Sequence, residues 1–94
     1  MALLSDEEIG TRLEGSAWRR EGDQIVRDVK LADFAEAMRL VNAVAAEAEA
    51  ANHHPDILVH GWNRVRLSVT NHAEGGLTDA DFALAKRIDS LTGA

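Results

Sequence analysis

The segment that ends the longest predicted helix reads Glu47-Ala48-Glu49-Ala50-Ala51-Asn52-His53-His54-Pro55-Asp56. Alanine and glutamate favour a helix, whereas proline lacks a backbone donor and pushes the residue before it towards extended geometry. Pro55 is the only proline of the chain. The segment therefore predicts a helix over about residues 32–51, with His53 in its last turn, followed by a strand over residues 56–60.

Upstream of this segment, capping and alternation patterns predict a helix and a hairpin. Ser5 and Glu8 have the spacing of a capping box, which predicts a first helix over about residues 6–13. Strand-like runs on both sides of a glycine-bearing loop predict a β-hairpin over residues 18–30.

Downstream of the segment, the same two kinds of pattern recur. Residues 64–70 alternate between apolar and polar side chains, which is typical of a half-buried strand. Thr78 with Asp81 forms a second capping-box pattern, so a last helix is expected from this point to Gly93.

The order of these elements is α-β-β-α-β-β-α, which predicts the fold class. Strands joined by tight turns pair antiparallel, and helices must cover an apolar sheet face. We therefore expect a single domain over residues 1–94 with an α+β fold, a two-layer sandwich in which three helices pack on one face of a four-stranded antiparallel sheet. The long helix carries an apolar stripe that is expected to pack against the sheet or another subunit: Phe34, Met38, Val41, Ala45 and Ala48.

Composition excludes several classes of function. Apolar residues make up 46% of the 94 residues, as in a globular protein, and the net charge of −6 disfavours nucleic-acid binding. The chain has no cysteine, which excludes disulfides, thiolate nucleophiles and cysteine zinc sites. The start of the chain lacks the pattern of a signal peptide, and no later run could span a bilayer. A cytoplasmic protein without membrane contact is expected.

Histidines beside predicted chain reversals are the candidate functional residues, namely His53, His54 and His72. Imidazole titrates closest to neutral pH, so such a set indicates proton transfer or metal binding. The adjacent rings of His53 and His54 diverge, whereas metal sites favour spacings such as i, i+4 on a helix. Proton transfer is the favoured interpretation and a metal site the weaker alternative. His60 is interpreted as a structural strand residue.

Carboxylates and tryptophans near these histidines allow two interpretations each. The capping position alone explains Asp81, but a carboxylate bonded to one ring nitrogen of a histidine also fixes the tautomer. Glu49, one turn before His53, is either a solvated helix residue or a supporting partner. Trp18 and Trp62 are interpreted as packing residues, with a platform on which an aromatic ligand ring could stack as the weaker alternative.

Four motifs stand in order along the chain, namely Glu49 to Asp56, Trp62-Asn63-Arg64-Val65, Thr70-Asn71-His72 and Gly76-Leu77-Thr78-Asp79-Ala80-Asp81. Their combination resembles the pterin-4a-carbinolamine dehydratase family, and the resemblance extends over almost the whole chain. It implies a lyase that dehydrates 4a-hydroxytetrahydropterin to quinonoid dihydropterin in tetrahydrobiopterin biosynthesis and recycling. It also implies a homodimer or homotetramer, and a reaction without cofactor or metal.

The resemblance further implies roles for individual residues. His53 and His72 match the acid–base histidines of the family, and His54 matches the histidine that mainly holds the pterin, so all three are predicted to be catalytic. Glu49 and Asp81 match its supporting carboxylates. The predicted pterin-binding residues are His53, His54, Pro55, Asn71, His72, Ala73 and Glu74.

The chain departs from the family pattern between Pro55 and Trp62, where it has one residue more, and tyrosine is common at the position of Trp62. An extra residue would invert the side-chain parity of the strand unless Gly61 absorbs it as a bulge. The rim of the pocket is therefore expected to differ from that of the family.

The resemblance also implies a second class of function. Some members of the family act as dimerisation cofactors of a transcription factor, so a protein-interaction module is the alternative to an enzyme. The three retained histidines favour the enzyme.

Overall fold

A four-stranded antiparallel sheet and three α-helices form the fold, in the predicted order and class. The computed structural model describes residues 2–93. Its elements are α1 (Asp6–Leu13), β1 (Arg19–Glu21), β2 (Gln24–Lys30), α2 (Phe34–Ala51), β3 (Asp56–His60), β4 (Arg64–Val69) and α3 (Asp79–Thr92). The strands lie in the order β1-β2-β4-β3, so the pairing of β2 with β4 joins the two hairpins at the centre of the sheet.

The hydrophobic core lies between one sheet face and the helices. Alternate residues of the central strands face the helices, and Ile25, Val65, Leu67 and Val69 have no exposed surface. They share one apolar cluster with residues from all three helices, among them Ile9, Leu40, Val44, Leu84 and Ile88. The three helices therefore cover the same face of the sheet, and the opposite face is open.

The buried face of α2 differs from the predicted stripe. Its buried residues are Ala37, Leu40, Val44 and Ala48, so the predicted stripe shares only Ala48 with it. Phe34 is 53% exposed. The many alanines of α2 make two neighbouring faces look equally apolar in the sequence, and contact with the sheet then selects one of them. Leu91 lies in the last turn of α3 and is exposed.

A three-residue turn of Gly61, Trp62 and Asn63 joins β3 to β4. The ladder is continuous from Asp56 opposite Ser68 to His60 opposite Arg64, so the predicted possibility of a bulge is wrong. Gly61 and Trp62 both adopt the left-handed backbone conformation, with φ of 55° and 57°. Glycine reaches this region without steric cost, whereas a bulky residue rarely does. The turn thereby preserves the parity of both strands.

The two tryptophans have opposite environments. Trp18 is 4% exposed and belongs to the core, as expected, whereas Trp62 is 61% exposed, so its interpretation as a packing residue is wrong. The indole nitrogen of Trp18 donates to Asp89 of α3 at 2.8 Å. Asp89 also forms an ion pair with Arg27, a β2 residue that faces the helices and is 7% exposed.

The open face of the sheet is covered by charged side chains. Asp28 of β2 accepts hydrogen bonds from Arg66 and Arg19, each at 2.8 Å. Arg66 therefore lies on the solvated face of the sheet, where Asp28 neutralises its charge. Within residues 2–93, none of the helices combines the length and apolarity that crossing a membrane requires.

Candidate functional site

The C-terminus of α2 places His53. Asn52 is the C-cap and adopts the left-handed conformation, with φ 50° and ψ 43°, and the backbone N–H of His53 donates to Ala48 O at 3.0 Å. Asparagine tolerates this conformation better than most residues, so Asn52 and not Pro55 ends the helix. His53 thus lies just beyond the helix and not in its last turn, where it was predicted.

The side chain of His53 is bonded to a buried carboxylate. Its Nε2 lies 2.6 Å from Oδ1 of Asp81, and Asp81 has no exposed surface whereas the side chain of His53 is 15% exposed. An ionised carboxylate can only accept hydrogen bonds, so Nε2 donates the proton. The bond fixes the tautomer of the ring and leaves Nδ1 as the nitrogen that can take up or release a proton.

Asp81 is itself held by the start of α3. Its Oδ2 accepts a hydrogen bond from the backbone N–H of Thr78 at 2.7 Å and one from the Thr78 hydroxyl at 3.2 Å. The predicted capping box therefore exists, and the same carboxylate uses its other oxygen for His53. Because the carboxylate itself is fully buried and held by Thr78, its position relative to the imidazole is well defined.

His54 has a separate partner on the surface. Its Nε2 is hydrogen-bonded to Oε2 of Glu49, and the two side chains are 58% and 76% exposed. Glu49 therefore lies beside His54 and not beside His53. Pro55 follows the two histidines, immediately precedes β3 and is half-buried.

His72 lies in a tight turn after β4. Strand β4 ends at Val69, so His72 lies outside the strand and its alternating side chains. The turn is closed by a bridge between Asn71 and Gly76, and the carbonyl of Asn71 accepts from the backbone N–H groups of residues 74, 75 and 76. His72, Ala73 and Glu74 are all exposed on this turn.

A chain of hydrogen bonds joins this turn to His53. The side-chain amide of Asn71 lies 3.5 Å from the Thr78 hydroxyl. That hydroxyl donates a hydrogen bond to Asp81, and Asp81 is hydrogen-bonded to His53. The first of these contacts is at the long end of the range for a hydrogen bond. The support of His53 and the turn that carries His72 are thus parts of one network.

Two hollows lie near these elements. One of about 380 Å³ is lined by Glu21, Asp23, Gln24, Thr70, Asn71, His72 and Gly75, so the β1–β2 hairpin forms a wall beside His72. A larger hollow of about 590 Å³ lies between the end of α1 and α3, and its walls include Arg12, Trp18, Phe82 and Lys86. None of the predicted site residues lines the larger hollow. Across residues 2–93, no three histidine, aspartate or glutamate side chains are grouped as a metal site requires.

Two contributors to this arrangement were not predicted from the sequence. Thr78 was predicted only as a helix cap, but its side chain has no exposed surface and links Asp81 to Asn71. The second is the hairpin wall beside His72, which depends on the pairing of β2 with β4. The capping box was the available signal for Thr78, whereas no local signal predicts a contact between strands so far apart in sequence.

Comparison with known proteins agrees with the fold and the motifs. The family model described as Pterin 4 alpha carbinolamine dehydratase matches residues 2–91. A protein of Chloroflexus aurantiacus with the provisional name pterin-4-alpha-carbinolamine dehydratase is 49% identical over 94 residues, which cover 99% of this chain and 100% of that protein. One of Thermomicrobium roseum with the same provisional name is 47% identical over 97% of this chain and 98% of that protein.

Solved structures give the same result for the fold. The crystal structure of a transcriptional coactivator/pterin dehydratase from Brucella melitensis matches with a TM-score of 0.91 at 27% identity, over 98% of this chain and 100% of that chain. A pterin dehydratase-like protein identified as a RuBisCO assembly factor in the alpha-carboxysome matches with a TM-score of 0.72 at 26% identity, over 83% of this chain and 92% of that one. From the family match, the relatives and the shared fold, the chain belongs to the pterin 4 alpha carbinolamine dehydratase family.

Proposed function

We propose that this protein is a 4a-hydroxytetrahydrobiopterin dehydratase, a carbon–oxygen lyase that acts by histidine acid–base catalysis in tetrahydrobiopterin recycling. The observation that carries the proposal is the bond between Nε2 of His53 and the fully buried carboxylate of Asp81, at 2.6 Å. A buried carboxylate that orients a half-buried imidazole is an arrangement suited to proton transfer. Membership of the family supplies the substrate class, a pterin carbinolamine.

The reaction requires two proton movements and no redox step. The C4a–O bond breaks and the departing hydroxyl takes a proton to leave as water, while N5 loses its proton as the C4a–N5 double bond forms. The number of protons on the protein is unchanged over the cycle. Two groups that exchange protons near neutral pH therefore suffice, and we assign these roles to His53 and His72.

The remaining predicted residues would bind the pterin. His54 and Glu49 form an exposed pair that can contact a polar ring without entering the core. The family pattern assigns four further residues to the same pocket, namely Pro55, Asn71, Ala73 and Glu74. The organisation of the 71–76 turn by Asn71 supports this assignment, since the turn presents His72 and its neighbours on one exposed loop. A cytoplasmic homodimer or homotetramer is part of the proposal.

The test is the dehydration rate of freshly generated 4a-hydroxytetrahydropterin, followed by ultraviolet absorbance. We expect the protein to accelerate the reaction over buffer, and His53→Ala to lower the rate by roughly 10²-fold or more, within the usual range for an acid–base group. His60→Ala is the matched control, because His60 is an exposed strand residue without a partner in the described chain. Equal rates for His53→Ala and wild type would refute the acid–base assignment.

A second candidate function is a protein-interaction module, such as a dimerisation cofactor of a transcription factor. It is favoured by one observation, that both solved structures described above are associated with assembly or transcription as well as with the pterin dehydratase fold. The same assay separates the candidates. If well-folded protein gives no acceleration of dehydration, the interaction module becomes the better proposal.

A further inference from the structure

The larger of the two hollows, between the end of α1 and α3, lies apart from the proposed dehydration site and is here called the α1–α3 hollow. Its volume of about 590 Å³ is typical of small-molecule sites, which span about 300 to 1,000 Å³. Its walls come from the chain that follows α1 and from one face of α3, and neither His53, His54 nor His72 lines it. The proposed reaction makes no use of this concave surface, which is therefore a candidate site for a second ligand.

One face of α3 presents three kinds of chemistry to the α1–α3 hollow. Phe82, Lys86 and Asp89 all line it, at positions i, i+4 and i+7 of the helix. Residues that are three or four positions apart are neighbours on one helix face. An aromatic ring, an ammonium group and a carboxylate therefore follow one another along the hollow, each about one helical turn from the next.

The carboxylate of Asp89 is held by two buried side chains and can still bind a ligand. Its Oδ1 accepts a hydrogen bond from the indole N–H of Trp18 at 2.8 Å and another from Arg27, and these two residues are 4% and 7% exposed. A carboxylate has about four acceptor positions on its two oxygens. The side chain of Asp89 is 33% exposed, so it can accept a further hydrogen bond without losing these two.

The two cations of the α1–α3 hollow differ in their surroundings. Arg12 pairs with Asp79 at 2.5 Å, and its guanidinium lies 5.4 Å from the centre of the Phe82 ring. The ammonium of Lys86 is exposed and has no counter-ion among residues 2–93. Lys86 is thus the cation that can pair with a carboxylate of a ligand, one helical turn from Asp89.

We propose that the α1–α3 hollow binds an α-amino acid with a large apolar side chain. The carboxylate of the ligand would pair with Lys86 and its ammonium with Asp89, because both charged groups of an α-amino acid are attached to one carbon and these two residues are neighbours on α3. The side chain of the ligand would lie against an apolar wall of Phe82, Ala83 and Ala85. A simple anion fits less well because Asp89 would repel it, and a simple cation fits less well because of Lys86.

The test is a titration of isotope-labelled protein with L-phenylalanine, followed by NMR. The two tryptophans give separate indole N–H signals, and only that of Trp18 is bonded to Asp89, whereas Trp62 is 61% exposed in the β3–β4 turn. We expect the Trp18 signal to shift with a Kd of roughly 1 to 10 mM and the Trp62 signal to stay. An unmoved Trp18 signal, or equal shifts of both signals, would overturn the proposal. Shifts confined to His53 and His72 would also overturn it, since the ligand would then occupy the proposed dehydration site.

A pair of lysine variants tests the ion pair with the ligand. Lys86→Ala should weaken the binding of L-phenylalanine by roughly fivefold, as for an exposed ion pair, and should leave the binding of phenethylamine, which has no carboxylate, unchanged. Lys30→Ala is the matched control, because Lys30 is an exposed lysine on the open face of the sheet. It should bind L-phenylalanine as wild type does. Equal losses in the two variants would indicate a general charge effect and contradict the proposal.

Ligand analogues test the other two contacts without changing the protein. Phenylpropionate, which lacks the ammonium, should bind roughly fivefold more weakly than L-phenylalanine, because it cannot pair with Asp89. L-Alanine should bind more weakly by roughly tenfold or more, because its methyl group cannot cover Phe82. Equal affinity for either analogue would overturn the proposal. The proposal goes beyond the dehydratase activity, and none of these measurements uses the dehydration rate, so a failure of the dehydratase proposal would leave them unaffected.

Discussion

The imidazole of His53 and the carboxylate of Asp81 are joined at 2.6 Å, although His53 follows the end of α2 and Asp81 lies in the first turn of α3. Asp81 divides its two oxygens between two tasks. Oδ2 caps α3 through the backbone of Thr78, and Oδ1 holds the ring of His53. The geometry that starts a helix therefore also sets the tautomer of the proposed acid–base group.

Asp81→Asn tests this coupling of cap and tautomer. The asparagine oxygen can still accept from the Thr78 backbone, but its amide would face Nε2 of His53 and donate to it, so the ring would carry its proton on Nδ1 instead. We expect the turnover of 4a-hydroxytetrahydropterin to fall by roughly 10²-fold or more, with only a modest loss of stability. The measurement is the dehydration rate beside a thermal melt of the same protein.

Asp79→Asn is the control for that substitution. Asp79 also lies in the first turn of α3, but its side chain is 66% exposed and pairs with Arg12 at the surface. The same chemical change there should leave turnover nearly unchanged. If both variants lose activity in step with a loss of melting temperature, Asp81 acts through stability alone and the tautomer argument is wrong.

The exposed pair of His54 and Glu49 predicts a different kinetic effect. Both side chains are more than half exposed, so their replacement removes no packing from the core. We expect His54→Ala to raise KM for the pterin several-fold with a smaller change in kcat, as for a group that binds ground state and transition state alike. Steady-state kinetics on wild type, His54→Ala and Glu49→Gln would measure it. A fall in kcat with unchanged KM would instead give His54 a part in proton transfer.

Much of the fold followed from local signals in the sequence. The capping boxes at Ser5 and Thr78 predicted the starts of α1 and α3, and the predicted bounds of α1 and β3 agree with those of the structure. These signals are local because a cap satisfies backbone groups within one turn of the same helix. The order of the strands in the sheet depends on contacts between residues that are far apart in the sequence. The pairing of β2 with β4 depends on how the two hairpins meet, which alternation along each strand leaves open.

The candidate site was predictable only in part, because local signals in the sequence do not show contacts between distant residues. The motifs identified His53 and Asp81 as site residues. Nothing in the sequence showed that Asp81 would bond to His53 and Glu49 to His54, because this pairing depends on where α2 ends. Asn52 ends it one residue before His53 by adopting a left-handed conformation. The exposure of Trp62 was also unpredictable, because a large aromatic side chain next to two strands usually finds apolar surface to cover.

The ion pair of Arg27 and Asp89 predicts a large effect on stability. Arg27 is 7% exposed on the helix-facing side of β2, and its Nε has no hydrogen-bond partner among the described residues. Asp89→Asn would leave the guanidinium buried without a counter-charge. We expect the free energy of unfolding, measured with urea, to fall by about 2 to 3 kcal/mol, which is less than for a fully buried pair because the side chain of Asp89 is 33% exposed.

The double variant Arg27→Met with Asp89→Asn separates the contribution of charge to stability from the contribution of side-chain packing. Methionine fills similar space without a charge, so most of the lost stability should return. A double variant that is less stable than Asp89→Asn would show that the pair contributes mainly through its hydrogen bonds, including the one from Trp18 at 2.8 Å.

The Asp28 carboxylate predicts how stability changes with pH. The hydrogen bond from Arg66, aided by Arg19, holds the pKa of Asp28 below its usual value against a smaller opposing effect of desolvation. A carboxyl group with a lowered pKa stabilises the folded state above its unfolded pKa of about 3.9, and this contribution disappears as the pH falls through the folded pKa. Because the side chain is 45% exposed, the contribution should be less than about 1 kcal/mol.

Asp28→Asn should therefore have a lower melting temperature than wild type at neutral pH, and the difference should close as the pH falls below about 4. Melting curves recorded across this range measure it directly. Asp56→Asn is the control, because Asp56 lies on the same open face but forms no ion pair within residues 2–93. A difference between Asp28→Asn and wild type that persists in acid would mean that the carboxylate acts through shape or hydrogen bonding and not through its charge.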